Sequence, residues 1–204
     1  MSNSDFRHRN WNEFQWEKAI RRDEKRIARY FWELPGCLDL PGEEELIFEQ
    51  MRTETDLIPV GADFDSMRDW CYADSGDDDD ERDENAPRRP GAEETDRVDR
   101  LAAEWNIEVC GAADDALLMP ALAVACGYAK FLARLIDFVE SDPEKEKPLM
   151  RTLGKRSLAD LNELLILQDE CADCRPELGA FVDDQRERLL QLRERILERL
   201  SALK

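Results

Sequence analysis

The chain is poor in the residues on which most enzymes depend. Its 204 residues include one histidine, His8, in a stretch that reads as a loose terminus. Ser-His-Asp and Cys-His catalysis therefore have no well-placed base. The helical di-iron pattern needs paired Glu-x-x-His motifs, and the single histidine excludes it as well. The nine glycines contain no G-x-G pair, so neither a dinucleotide fingerprint nor a phosphate-cradling loop is encoded. G-x-S-x-G and H-E-x-x-H are also missing.

Long apolar runs are scarce. The longest stretch without a charged side chain is the 14 residues Ala116–Ala129, short of the ~20 that span a bilayer. The first residues lack the apolar segment of a secretory signal, and a cytoplasmic location is expected. Sustained alternation of branched and polar residues is absent, so strands are not predicted. No repeat of the solenoid kind is visible.

Cysteine is present but neither dense nor regular, at positions 37, 71, 110, 126, 171 and 174. Reduced thiols are expected, with Cys126 packed in the core of its helix. Cys171 and Cys174 form one C-x-x-C. Zinc would need two further ligands from Cys37, Cys71 or Cys110, and no second C-x-x-C supplies them. The strand-then-helix setting of a redox pair is missing too. A calcium loop fails at Asp77, Asp79 and Glu81, because Arg82 stands where glycine is required. No metal and no cofactor are expected.

What the chain has in excess is acid. Asp and Glu number 48 against 29 Lys and Arg, for a net charge of -19. The imbalance is local. Residues 1–34 carry +2, residues 35–95 carry -15 and residues 96–204 carry -6. Such a field repels nucleic-acid phosphates and anionic lipid, so no direct nucleic acid and no membrane are expected as partners. An acidic DNA mimic or inhibitor is one alternative. It is weakened because a flexible acidic segment cannot hold carboxylates at phosphate spacing.

Residues 10–34 read as a first helix, capped by Asn10 or Asn12. Trp16, Ile20, Ile27, Tyr30, Phe31 and Leu34 fall on one stripe, and arginine and lysine fill the other faces. Pro35-Gly36 should end it at Leu34. A short helix from Glu43 to about Arg52 follows, its first turn rich in glutamate. Further on, Phe64, Met67 and Trp70 stand about one turn apart among Asp63, Asp65 and Asp69. Bulky anchors at that step suit helix-in-groove docking. With Trp11, Trp16, Ile20 and Phe31 they are the candidate partner-binding residues. Residues 73–95 read as an acidic flexible linker, with four successive aspartates, Pro87 and Pro90, and no large apolar residue to bury. A flexible chain of that length spans about 27 Å.

From Thr95, expected as a cap, the pattern is helical. Val98, Leu101, Trp105 and Val109 make a stripe that Gly111 closes. A central helix follows, capped by Asp114, with a kink or delayed start expected at Pro120. Its one polar group in the uncharged half, Tyr128, needs a hydrogen-bond partner if buried. Ala121, Ala125, Ala129 and Ala133 recur every four residues, a step that permits close helix packing. That half is apolar on every side and needs cover all round, more than three neighbouring helices supply. Leu149 to about Cys171 and Leu178 to Leu203 give two more helices joined by a short turn at 172–175, which implies an antiparallel pair. Glu163 should point outward. Gly154 weakens its helix by about 1 kcal/mol.

The predicted fold is all-α. A C-terminal antiparallel four-helix bundle, 96–204, is preceded by an N-terminal helical arm, 1–72, and the acidic linker, 73–95. The predicted function is a non-catalytic protein-protein interaction or scaffold protein whose tethered arm folds back or docks elsewhere. The expected partner is another protein with a basic surface, or a second copy of the chain. The alternative from a different class is a helical-bundle enzyme or small-ligand protein with a site near Tyr128.

Overall fold

The computed structural model describes residues 11–54, 56–58 and 91–203. Among these the chain is all-helical and has no strand. Phe64, Met67 and Trp70 lie outside the described residues, as do positions 73–90 of the expected linker. The chain divides into two compact units, residues 1–86 and 87–204, and each is taken by itself below.

In the first unit, α1 (Glu13–Cys37) packs on α2 (Glu43–Met51). Asn12 caps α1 in a capping box. Its side chain accepts from the Gln15 N–H at 3.0 Å, and the Gln15 side chain accepts from the Asn12 N–H at 2.9 Å. The helix continues through Pro35 to Cys37, three residues past the expected stop. A proline this close to the end removes only the bond to the Phe31 carbonyl, and Phe31 is exposed, so water can satisfy that oxygen. Asp39, at φ 62, and Gly42, at φ 73, then reverse the chain in left-handed conformations. Cys37, Ile47, Phe48, Met51, Leu57 and Ile58 form a small core that Tyr30 and Leu34 edge. Arg26 is buried against it, with its Nε donating to the Leu57 carbonyl and Nη1 to Asp23 at 2.9 Å.

The second unit holds α3 (Ala92–Glu108), α4 (Asp115–Glu140), α5 (Lys147–Cys174) and α6 (Gly179–Ala202). Short 3-10 turns at Cys110–Ala112 and Pro176–Leu178 precede α4 and α6. Residues 92–95, expected in the linker, already belong to α3. Gly91, not Thr95, stands at the cap. Its φ is 85, and a Cβ there would meet the Val139 side chain at 2.4 Å. Thr95 turns its hydroxyl back onto the Ala92 carbonyl at 3.2 Å. The α3 stripe is buried as its spacing predicts, at Val98, Leu101, Trp105 and Val109.

Asp114 caps α4, accepting from the Leu117 N–H at 3.0 Å. That bond, with Arg175 beside it, holds the Asp114 carboxyl below its usual range. The helix starts without delay and runs through Pro120, whose missing bond frees only the carbonyl of exposed Ala116. Buried positions on α4 step by four and three: Leu117, Ala121, Val124, Tyr128, Phe131, Leu135, Phe138. That alternation keeps one seam facing the neighbours. The helix α5 lies along α4 and α6, and α3 closes onto α4 and touches α6. Gly154 of α5 has a packing reason. A Cβ there would stand 2.6 Å from Leu200 Cδ2 and 2.9 Å from Phe138 Cε2, so the glycine lets α4, α5 and α6 meet.

Candidate interaction surface

Within the second unit, one line of polar groups crosses the core. Tyr128 is fully buried. Its hydroxyl donates to Gln185 Oε1 at 2.5 Å and accepts from Gln168 Nε2 at 2.9 Å. Gln185 Nε2 donates onward to Glu104 at 3.0 Å, and Glu104 takes both terminal nitrogens of Arg188, at 2.5 and 2.9 Å. The line thus joins α5, α4, α6 and α3. Burial raises the Tyr128 phenol well above its usual value of about 10. The hydroxyl that could have greeted a ligand is already occupied on both its donor and acceptor sides. Gln168 and Gln185 escaped the sequence reading. Gln185 sits four residues before Leu189 on the apolar seam of α6, and that spacing was the signal available.

Between α3 and α6, Arg97, Arg100, Leu101, Arg188, Gln191 and Leu192 line a groove of about 340 Å³. Arg97 is held by Glu93 at 2.7 Å, and Arg188 by Glu104 and Asp184. Two of its three guanidinium groups are therefore already neutralised. Among the described residues no group of three His, Cys, Asp or Glu side chains is placed to hold a metal ion. Cys171 is buried and its thiol is pushed above its usual value by that burial, which disfavours the thiolate that metal or disulfide chemistry uses.

The outer face of α4 is different in character. Leu118, Met119, Leu122, Cys126, Ala129, Ala133 and Ile136 are all exposed, and Ala125 is half-buried. Cys126, expected in the core, sits on this face because it falls on the side of the helix away from the Tyr128 seam. The alanine stripe also behaves differently from its expected close-packing role. Ala121 is buried, Ala125 half-buried, and Ala129 and Ala133 are exposed. A four-residue step advances about 40° beyond a full turn, so three steps rotate the stripe about 120° out of the core. The close approach to α5 falls on Gly127, where a Cβ would lie 3.1 Å from Leu164 Cδ1.

The two cations on α4 both pair with carboxylates of α5, although Lys130 stays exposed at the edge of the outer face. Lys130 pairs with Glu163 at 2.7 Å and Asp160 at 3.1 Å, and Arg134 pairs with Asp160 at 3.4 Å. From Leu118 to Ile136 the stripe is uncharged over about 27 Å of helix, at 1.5 Å per residue. An 18-residue window of α4 has mean hydropathy 1.7, with 28% of it buried. By length and composition α4 could cross a membrane, although its uncharged run alone is too short.

No family model, no curated protein and no solved structure matches the chain.

In the first unit the expected anchors divide. Trp11 and Trp16 stack edge to face at 4.8 Å and are half-buried, as is Ile20. Phe31 is exposed. Phe14, Ile27 and Trp32, which were not among the expected anchors, are exposed with it. Arg26 takes the buried position beside Leu57 that the apolar stripe would have assigned to Ile27.

Proposed function

We propose that this chain is a non-catalytic protein-protein interaction or accessory protein. In this reading its C-terminal part is an antiparallel four-helix bundle, preceded by a helical arm and an acidic flexible linker, and it works in the cytoplasm. The observation that carries the proposal is the exposed, uncharged face of α4 from Leu118 to Ile136. Contiguous apolar surface of this kind marks a place where another surface fits. The exposed Phe14, Phe31 and Trp32 of α1 support the same reading. The buried polar line through Tyr128 favours it over catalysis, because the Tyr128 hydroxyl is engaged on both its donor and acceptor sides.

A pull-down from the native host tests it, with the full chain and its Leu122→Glu variant as paired baits. Leu122 is 42% exposed, so the variant keeps the fold. The expected result is a partner retained by the natural chain and lost from the variant. Identical captures on both baits, or none on either, overturn the reading.

A further inference from the structure

The outer face of α4 has a rim in which acid outnumbers base. Asp115 stands at its start, and Asp137 and Glu140 at its end, each exposed. Beside α5, exposed Glu163 holds Lys130, which is itself exposed within the span. Lys130 and Arg134 are the cations within the span, and both are spent on α5 carboxylates. A binding surface with an apolar centre and an acidic rim selects its partner by complement.

Resting on the interaction reading above, we propose that the α4 face from Leu118 to Ile136 docks an amphipathic helix of a partner protein, one whose apolar stripe is flanked by lysine or arginine. Shape supports a helix. Ala125, Ala129 and Ala133 make the middle of the face low, while Leu118, Leu122 and Ile136 stand higher at its ends. Small residues at a four-residue step form the groove into which the side-chain ridge of a crossing helix fits. The length, about 27 Å, matches five turns of such a helix. This is the helix-in-groove mode, with affinity from the apolar anchors and register from the charged rim.

Charge also decides against a second copy and against a membrane. A second copy of α4 laid antiparallel would set Leu118 opposite Ile136, and so bring Asp115 against Glu140, acid on acid. The net charge of -19 opposes that pairing further. An anionic membrane surface meets the same rim with the same sign.

The test uses the full chain and two fluorescent synthetic peptides of 20 residues. Both carry the same leucine stripe, one flanked by lysine and the other by glutamate. Binding is read by anisotropy, alongside sedimentation of the chain alone and co-sedimentation with phosphatidylcholine-phosphatidylglycerol vesicles. The lysine peptide should bind at least about tenfold more tightly than the glutamate peptide, and Leu122→Glu should weaken it by about tenfold or more. At saturation, alkylation of exposed Cys126, in the middle of the face, should slow. Equal affinity for the two peptides, or binding that Leu122→Glu leaves unchanged, overturns the proposal. So does a dimer that Leu122→Glu dissolves, which would seat a second copy here, or vesicle binding lost on the same change. If the peptides fail while a host partner still depends on Leu122, the helix and charge assignment falls and the interaction reading stands. If no host partner depends on Leu122, the broader reading falls too.

Discussion

The Tyr128 hydroxyl on α4 donates to Gln185 Oε1 on α6 at 2.5 Å, a bond between residues 57 positions apart in the chain. Neither group meets water, and each is satisfied only when the helices stand in this register. Buried polar pairs of this kind penalise every other packing of the same helices, because a shifted register leaves them unpaired. Tyr128→Phe removes the hydroxyl and strands Gln185 Oε1 and Gln168 Nε2 in the core. The expected loss is about 1–3 kcal/mol of unfolding free energy. Urea denaturation followed by circular dichroism checks it, and a change under ~0.5 kcal/mol would show that water or rotation heals the gap.

The same phenol makes stability fall in strong alkali. Burial raises its folded value above the value of about 10 that it has in the unfolded chain. Above that pH the folded chain binds more protons than the unfolded chain, so stability drops as pH rises. Below pH 10 the group stays neutral in both states and contributes no slope. Melting temperatures from pH 8 to 11 should be level, then fall, and Tyr128→Phe should reduce the fall. An unchanged slope in the variant would assign the loss to other groups.

Gly154→Ala sets two effects against each other. Alanine favours helix by about 1 kcal/mol over glycine. Its Cβ would stand 2.6 Å from Leu200 Cδ2 and 2.9 Å from Phe138 Cε2, and overpacking of this kind costs about 1–3 kcal/mol. Leu200 is half-buried and can give way, but the Phe138 ring is buried and cannot. A net loss is expected in thermal melts. A stabilised variant would mean the junction of α4, α5 and α6 is looser than described.

The alanines of α4 should respond according to exposure, not spacing. Ala121→Leu forces extra volume into the closed contact beside Trp105, whose indole N–H donates to the Ala121 carbonyl at 3.1 Å. A loss of about 1–3 kcal/mol is expected. Ala133→Leu faces outward and should change stability by less than ~0.5 kcal/mol. Equal losses at both positions would restore a continuous close-packed stripe. Differential scanning fluorimetry on the two variants decides it.

Much of the fold was legible before any coordinates. The caps at Asn12 and Asp114 follow from side chains that satisfy free helix N–H groups, and local chemistry alone places them. The α3 stripe and the α6 seam follow from apolar spacing. The helix ends were less legible. Pro35 and Pro120 read as breaks, yet each lies within one or two turns of a helix end. There a lost bond frees a carbonyl that solvent can reach. Thr95 read as a cap because its chemistry suits one. Gly91 takes the position instead, since only a residue without Cβ fits against Val139 at φ 85.

The sequence by itself determined that this protein is helical and acidic, because composition and local spacing act within one helix at a time. Tertiary structure alone decided which sides of those helices face one another. Gln168 and Gln185 point inward because Tyr128 and Glu104 wait for them on other helices. Cys126, Ala129 and Ala133 point outward because the α4 seam advances by fours and threes and leaves them behind. Burial is a property of the neighbours across the gap, and no stretch of chain carries its own.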